Sequence, residues 1–353
     1  MSKRLGHGIS VTTGAKTSMK FLVTGAAGFI GYYVSQRLCD LGHEVVGLDN
    51  LNDYYEVELK QDRLSQLEPL DNFRFIKGNF SDSAQIATLF EEERFERVIH
   101  LGAQAGVRYS IEAPMAYAHS NLTGHLNILE GCRNTGVGHL VYASSSSVYG
   151  MNTKVPFSTT DSVDHPVSLY AATKKSNELM SHTYSHLYQL PTTGLRFFTV
   201  YGPWGRPDMA PIKFARLICE GKQIEVYNHG NLSRDFTYID DIVEGILRIQ
   251  DIVPEANPNM GQSLISPATS SAPYRLYNIG HGSPVKLMTF IEQLETSLGR
   301  VADKQFVDMQ PGDVYQTWAD TDDLFQATDY KPRVGIEEGV SQFAHWFKSY
   351  YQV

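Results

Sequence analysis

A short apolar run, Lys20-Phe21-Leu22-Val23-Thr24, leads without a spacer into Gly25-Ala26-Ala27-Gly28-Phe29-Ile30-Gly31 and then into an amphipathic stretch reaching Leu38. A strand that breaks at once into a glycine-rich turn and a helix leaves few folds open. Glycines at the first two positions let backbone approach a pyrophosphate, whose charge meets the helix N-terminus, and the third lets helix and strand pack closely. Such a unit opens a doubly wound parallel sheet, so β-rich runs should alternate with crossover helices. They do: EVVGLD ending at Asp49, FRFIKGN ending at Asn79, RVIHLGA ending at Ala103, HLVYASS ending at Ser145 and TTGLRFFTV ending at Val200 are separated by amphipathic stretches. The fold class is therefore α/β, a Rossmann-type sheet over residues 19–202.

After Gly202 the rhythm changes to loops rich in Pro, Gly, Asn and Ser. A smaller mixed α/β lobe is expected over 203–353, with some segments free to return to the first domain. The tract Asn257 to Pro273 reads as a surface insertion. Residues 1–18 are polar and aperiodic, and are expected to be a disordered leader outside the fold. With 353 residues and 42% apolar composition the chain can bury one large core plus a lobe.

Acidic residues outnumber basic ones 39 to 30 and no Lys/Arg run could track a phosphate backbone, which argues against nucleic acid. No apolar run approaches the ~20 residues of a spanning helix, so a membrane partner is not expected. Three scattered cysteines suggest neither a disulfide framework nor zinc, and fit a reducing cytosol. The 12 histidines show no metal-ligand spacing with a carboxylate partner, so no metal is expected.

The second strand ends at Asp49, followed by Asn50. A carboxylate there can bond the adenosine ribose hydroxyls and repel a 2′-phosphate, which favours NAD over NADP. Further on, Ser144-Ser145-Ser146-Ser147-Val148-Tyr149-Gly150 closes the fifth strand, and Tyr170-Ala171-Ala172-Thr173-Lys174 opens a helix. Tyr and Lys four apart lie on one helix face, about 5–6 Å apart at Cβ. A free phenol titrates near ~10; an adjacent ammonium and a positive nicotinamide would bring Tyr170 toward the pH at which it takes a proton from an alcohol while hydride leaves the same carbon.

TGAAGFIG resembles the nucleotide loop of the extended short-chain dehydrogenase/reductases. That resemblance implies adenine contacts from Asn79 and Phe80 and a wall along the cofactor from Leu101, Gly102, Ala103 and Gln104. It also implies cofactor contacts from Gly25, Gly28, Phe29, Ile30 and Gly31, with Lys174 on the nicotinamide ribose and Ser145 on the substrate hydroxyl. Dehydratases and decarboxylases of this group carry an acid before Val-Tyr-Gly, where this chain has Ser146-Ser147. An oxidised intermediate without that acid must take the hydride back, which inverts the carbon if the sugar has turned over.

The segments Asp49–Tyr55, His100–Ser110, Ser168–Lys175 and Phe198–Met209 together resemble the UDP-glucuronate 4-epimerases, members of the NAD-dependent epimerase/dehydratase family, over nearly the whole chain. The resemblance implies a tightly held NAD and interconversion of UDP-glucuronate and UDP-galacturonate through a 4-keto intermediate, feeding polysaccharide synthesis. It places Thr199 with Ser145 and Ser146 on the C5 carboxylate, Arg206 and Arg234 on the diphosphate, Tyr227 on uracil and Asp313 on the uridine ribose. It implies a homodimer through the long helices after strands four and five. Gly102 stands where this family more often has Ala and should slightly loosen the cofactor wall. The same chemistry on a neutral UDP-hexose (UDP-glucose or UDP-N-acetylglucosamine) is the alternative, and a silent NAD-binding regulator a third.

Overall fold

The computed structural model describes residues 17–261, 265–310 and 313–353. Of the expected leader, residues 1–16 lie outside the described residues; Thr17 and Ser18 are exposed. The strands are β1 (Lys20–Thr24), β2 (Glu44–Asp49), β3 (Phe73–Lys77), β4 (Arg97–His100), β5 (His139–Ser145), β6 (Thr192–Phe197), β7 (Thr199–Tyr201), β8 (Ile224–Val226), β9 (Ser233–Arg234), β10 (Phe236–Tyr238), β11 (Tyr274–Ile279), β12 (Val285–Lys286) and β13 (Lys304–Phe306). The helices are α1 (Phe29–Asp40), α2 (Val57–Leu67), α3 (Ser83–Glu93), α4 (Tyr109–Glu112), α5 (Pro114–Tyr117), α6 (His125–Thr135), α7 (Leu169–Tyr188), α8 (Ala210–Cys219), α9 (Ile239–Gln250), α10 (Leu287–Leu298), α11 (Asp322–Thr328) and α12 (Ile336–Tyr351).

Seven strands form one parallel sheet in the order β11-β6-β5-β4-β1-β2-β3. Side chains alternate across it. Phe21, Val23, Val45, Ile99, Val141 and Leu195 face the layer of α1 and α9, whereas Leu22, Val46, Val98, Leu140 and Leu276 face α3 and α6. Covering both faces makes these strands continuous apolar runs, the pattern legible in the sequence. The order reverses between β1 and β4, and a crevice opens at the carboxyl ends of those two strands, where doubly wound sheets bind ligands.

Two elements beyond Gly202 belong to this layered body: β11 pairs with β6 in parallel register, Tyr274 opposite Thr192, and α9 shares the apolar layer of α1. The remaining strands form three two-stranded pairs, β10-β7 and β13-β8 parallel and β12-β9 antiparallel. The tract Asn257 to Pro273 departs from a surface insertion in its second half. Ala268 and Ala272 are buried in the core beside Tyr274 and Leu276, and Thr269 bridges Arg275, so that half extends the sheet edge. Residues 262–264 of it lie outside the described residues.

Candidate active site

The crevice is a cavity of about 450 Å³ whose lining includes the glycine loop, Arg234 and Asp313. Its floor is the β1–α1 turn. Gly25 sits at φ 72° and a Cβ there would lie 2.9 Å from the Gly102 backbone; a Cβ on Gly31 would lie 2.0 Å from the Gly25 carbonyl. Both positions therefore require glycine. Helix α1 begins after Gly28 with no side-chain cap and no acidic residue in its first turn, leaving its first amides to an incoming anion. Asp49 accepts from the amides of Ala27 at 3.2 Å and Leu51 at 2.9 Å, which fixes its carboxylate at the cavity edge. Burial holds its pKa above the usual value despite those amides and the nearby Lys60 and Arg63.

Of the residues expected on the cofactor, Gly25, Gly28, Phe29, Ile30, Gly31, Asp49, Asn50, Phe80, Leu101, Gly102, Ala103 and Gln104 line the cavity. Asn79 is not among them. It is exposed, and its side-chain oxygen is turned into a local bond from the Ser81 amide at 3.0 Å. Gly102 does not loosen the wall either: a Cβ there would lie 2.6 Å from the edge of the Phe80 ring, and one on Gly124 would lie 2.3 Å from the same ring. Phe80 fills the space a methyl would take.

Ser145, the last residue of β5, is hydrogen-bonded to Tyr170 at the start of α7. That helix is capped by the Ser168 hydroxyl, which accepts from the Ala171 amide at 3.1 Å, and this start puts Tyr170 and Lys174 in the first two turns. All three line the cavity. Recessed placement pushes the Tyr170 phenol above its ordinary value, while a hydrogen bond with Ser145 and the charge of Arg206 pull it back. Lys174, 4% exposed, donates to the Ala143 carbonyl at 2.9 Å, and burial lowers its pKa to about 8. In the protein alone, then, burial dominates both groups, and the opposing pull on Tyr170 comes from Ser145 and Arg206.

One turn further along the same face of α7, Glu178 holds β5 and β6 together. It accepts from Ser144 Oγ at 2.7 Å and from Arg196 Nε and Nη2 at 2.8 and 2.9 Å, with both charges buried. Burial alone would raise the Glu178 carboxyl, but the Arg196 guanidinium outweighs it and holds it low. Because Ser144 and Ser145 point to opposite faces of the strand, fixing one orients the other.

On the substrate side, Ser146, Thr199, Arg206, Arg234 and Asp313 line the cavity. Thr199 is held by its amide, which donates to the Asp235 carbonyl at 3.1 Å. Burial opposes the charge of Arg206, yet Asp208 beside it, Nε to Oδ1 3.1 Å, keeps the guanidinium firmly protonated. The charge of Arg206 is felt at Tyr170, and that of Asp313 at Arg234. Tyr227 does not line the cavity: its hydroxyl donates to Glu225, and the Arg108 guanidinium covers its ring face at 5.2 Å. Arg108 also approaches Asp313, Nη2 to Oδ2 3.9 Å.

Sequence reading missed Asn52, Tyr54, Tyr55 and Lys60, which cap the crevice beside Asp49. Lys60 Nζ donates to the Asn52 side chain at 2.7 Å and lies 4.3 Å over the Tyr55 ring. The Asn-Asp-Tyr-Tyr string was visible, but nothing in its composition says that it folds back over a pocket. Among the described residues there is no cluster of His, Cys, Asp or Glu able to hold a metal, and no helix long and apolar enough to cross a membrane.

Residues 21–260 match the family described as NAD dependent epimerase/dehydratase family. The chain is 54% identical over 334 residues to protein CapI of Staphylococcus aureus, covering 95% of this chain and all of that protein. It is 48% identical over 335 residues to a probable UDP-glucuronate 4-epimerase of Rhizobium meliloti, covering 95% of this chain and 98% of the relative. The crystal structure of a UDP-glucuronic acid 4-epimerase from Bacillus cereus with UDP-glucuronic acid and NAD superposes with a TM-score of 0.81 at 31% identity, over 94% of this chain and 100% of that one.

Proposed function

The chain belongs to the NAD dependent epimerase/dehydratase family, and we propose that within it this protein is an NAD-dependent 4-epimerase interconverting UDP-glucuronate and UDP-galacturonate. One observation carries the reading: Tyr170, Lys174 and Ser145 line the same cavity as the glycine loop, and the turn after β5 offers the hydroxyls of Ser146 and Ser147 where an eliminating or decarboxylating relative would offer an acid.

The donor set suits NAD. Free amides open α1, and Asp49, Phe80 and Gly102 line the cavity beside them, Asp49 for the adenosine ribose hydroxyls. NAD bound there supplies a hydride acceptor and a positive ring. Tyr170 takes the proton of the sugar C4 hydroxyl, Ser145 holds that hydroxyl by a hydrogen bond, and Lys174 orients the neighbouring ribose while its charge stabilises the phenolate. Return of the hydride after the 4-keto sugar has turned over inverts the carbon. Thr199 and Ser146 make no side-chain hydrogen bond among the described residues, so both hydroxyls are free for the C5 carboxylate. Holding that carboxylate in the plane of the ketone denies the C–C bond the overlap that carbon dioxide loss needs. Arg234 and Asp313 take the uridine diphosphate end, and Arg206 works nearer the sugar.

The division at Gly202 into a cofactor domain and a UDP-sugar lobe, a cytoplasmic location and a role in polysaccharide synthesis are parts of the same proposal. So is a homodimer: Ile111, Met115, Leu126, Leu179 and Leu187 are exposed apolar residues on α4 to α7, the helices that follow β4 and β5.

The test is proton NMR of UDP-glucuronate with purified protein and no added NAD, following the sugar H4 couplings. Appearance of UDP-galacturonate with its carboxylate retained supports the reading. Turnover of only a neutral UDP-hexose would move the substrate assignment to that class.

A further inference from the structure

Arg63, on α2, is fully buried and pairs with no carboxylate among the described residues: its partners are carbonyls and one phenol. Nε and Nη2 donate to the Trp204 carbonyl at 3.1 and 2.6 Å, Nη2 also to the Gly205 carbonyl at 3.1 Å, and Nη1 to the Ala27 carbonyl at 2.9 Å and the Tyr55 hydroxyl at 2.8 Å. All five N–H donors of the guanidinium are used. They join three places that are distant in sequence. Ala27 is in the cofactor loop, Tyr55 is in the cap over the cavity, and Trp204-Gly205 runs directly into Arg206 on the substrate side.

A second observation falls on the same bonds. Trp204 has φ 61°, the left-handed region that a tryptophan adopts only when its surroundings enforce it. That conformation presents its carbonyl to Arg63, which gives it two of its five donors. The Trp204 ring is fixed as well, against Tyr32 at 6.0 Å, Trp346 at 5.4 Å and Tyr350 at 5.0 Å. The path from Ala27 to Arg206 therefore runs through one rigid side chain and one strained peptide. Neither has slack to absorb a shift of the loop.

We propose that Arg63 is a positioning residue that couples the cofactor loop to the substrate-side segment Trp204–Arg206, so that NAD and the nucleoside diphosphate end of the substrate tighten each other's binding. Such coupling is reciprocal: whatever factor NAD adds to UDP affinity, UDP adds to NAD affinity. The proposal rests on the functional reading only in its choice of NAD and UDP as probes. An Arg63→Lys variant keeps the charge but has three donors on a compact head in place of five in a planar fork, too few to replace the five bonds.

The experiment titrates cofactor-free protein with UDP, without NAD and at saturating NAD, for the unaltered chain and R63K. NAD is expected to tighten UDP binding about 5-fold or more in the unaltered chain, within the usual range of allosteric factors, and by a factor near one in R63K. An R63K ratio equal to the unaltered one overturns the proposal even if its melting temperature has fallen, because a mere brace changes stability and not linkage. A ratio of one in the unaltered chain overturns it too. If R63K does not fold, hydrogen exchange of the unaltered chain decides: amides from Trp204 to Asp208 slow on adding NAD, and an unchanged rate there overturns the coupling. Linkage present without any turnover of UDP-glucuronate would sustain the coupling and overturn the substrate reading alone.

Discussion

Tyr170 and Lys174 show what a reactive site costs a fold. A buried lysine whose pKa is lowered to about 8 binds fewer protons when folded than when unfolded between about 8 and 10.5. Stability therefore rises with pH through that window, and the full penalty, about 3 kcal/mol, is present at neutral pH. Lys174→Met should accordingly raise the urea midpoint of cofactor-free protein at pH 7 while abolishing turnover; a lower midpoint would mean that the lysine contributes more through its Ala143 bond than its burial costs. Tyr170→Phe removes the proton acceptor and leaves the cavity shape intact. Its kcat should fall about 10²–10⁴-fold with NAD still bound after gel filtration, as read by absorbance of released nucleotide.

The paired units are α7 with β5 and β6, and the glycine loop with β4. Glu178→Gln leaves Arg196 buried without its counter-charge, and breaking a buried pair in this way costs about 3–5 kcal/mol, measurable as a shift in urea midpoint. The loss should be smaller in a Glu178→Leu, Arg196→Leu double variant, since removing both charges leaves neither uncompensated. At the loop, Gly102→Ala puts a methyl against Phe80. Bound NAD per chain should fall, and a Phe80→Leu change in the same chain should restore part of it; full NAD occupancy in Gly102→Ala alone would show that Phe80 moves aside freely.

For the whole molecule, three buried histidines set the acid limit. Burial pushes His125 down to about 3, His139 down to about 4 and His100 well below its ordinary value. Below pH ~6.5 the unfolded chain gains protons that the folded chain does not, so stability falls as pH falls, by up to about 1.4 kcal/mol per pH unit for each histidine. The low pKa of Glu178 adds in the same direction below its unfolded value, while the raised carboxyls of Asp49 and Asp235 oppose the loss at the acid end. The urea midpoint should decline steadily from pH 6.5 to 4.5; a flat profile would mean that these imidazoles take up protons in the folded state.

The sequence by itself determined the sheet, the glycine loop, Asp49 and the Tyr170/Lys174 face, because each rests on local chemistry: a two- or 3.6-residue period, a steric demand for glycine, a spacing of four on a helix. Only the tertiary structure decided that β11 returns to the sheet edge, that Phe80 occupies the space opposite Gly102, that Arg108 covers Tyr227, and that Asn52 to Lys60 fold over the crevice. These are contacts between residues tens to hundreds of positions apart. Arg63 is the sharpest case: from the sequence it reads as one more charge on a polar helix, and three of its five bonds exist only because the chain returns at Trp204 with a left-handed backbone.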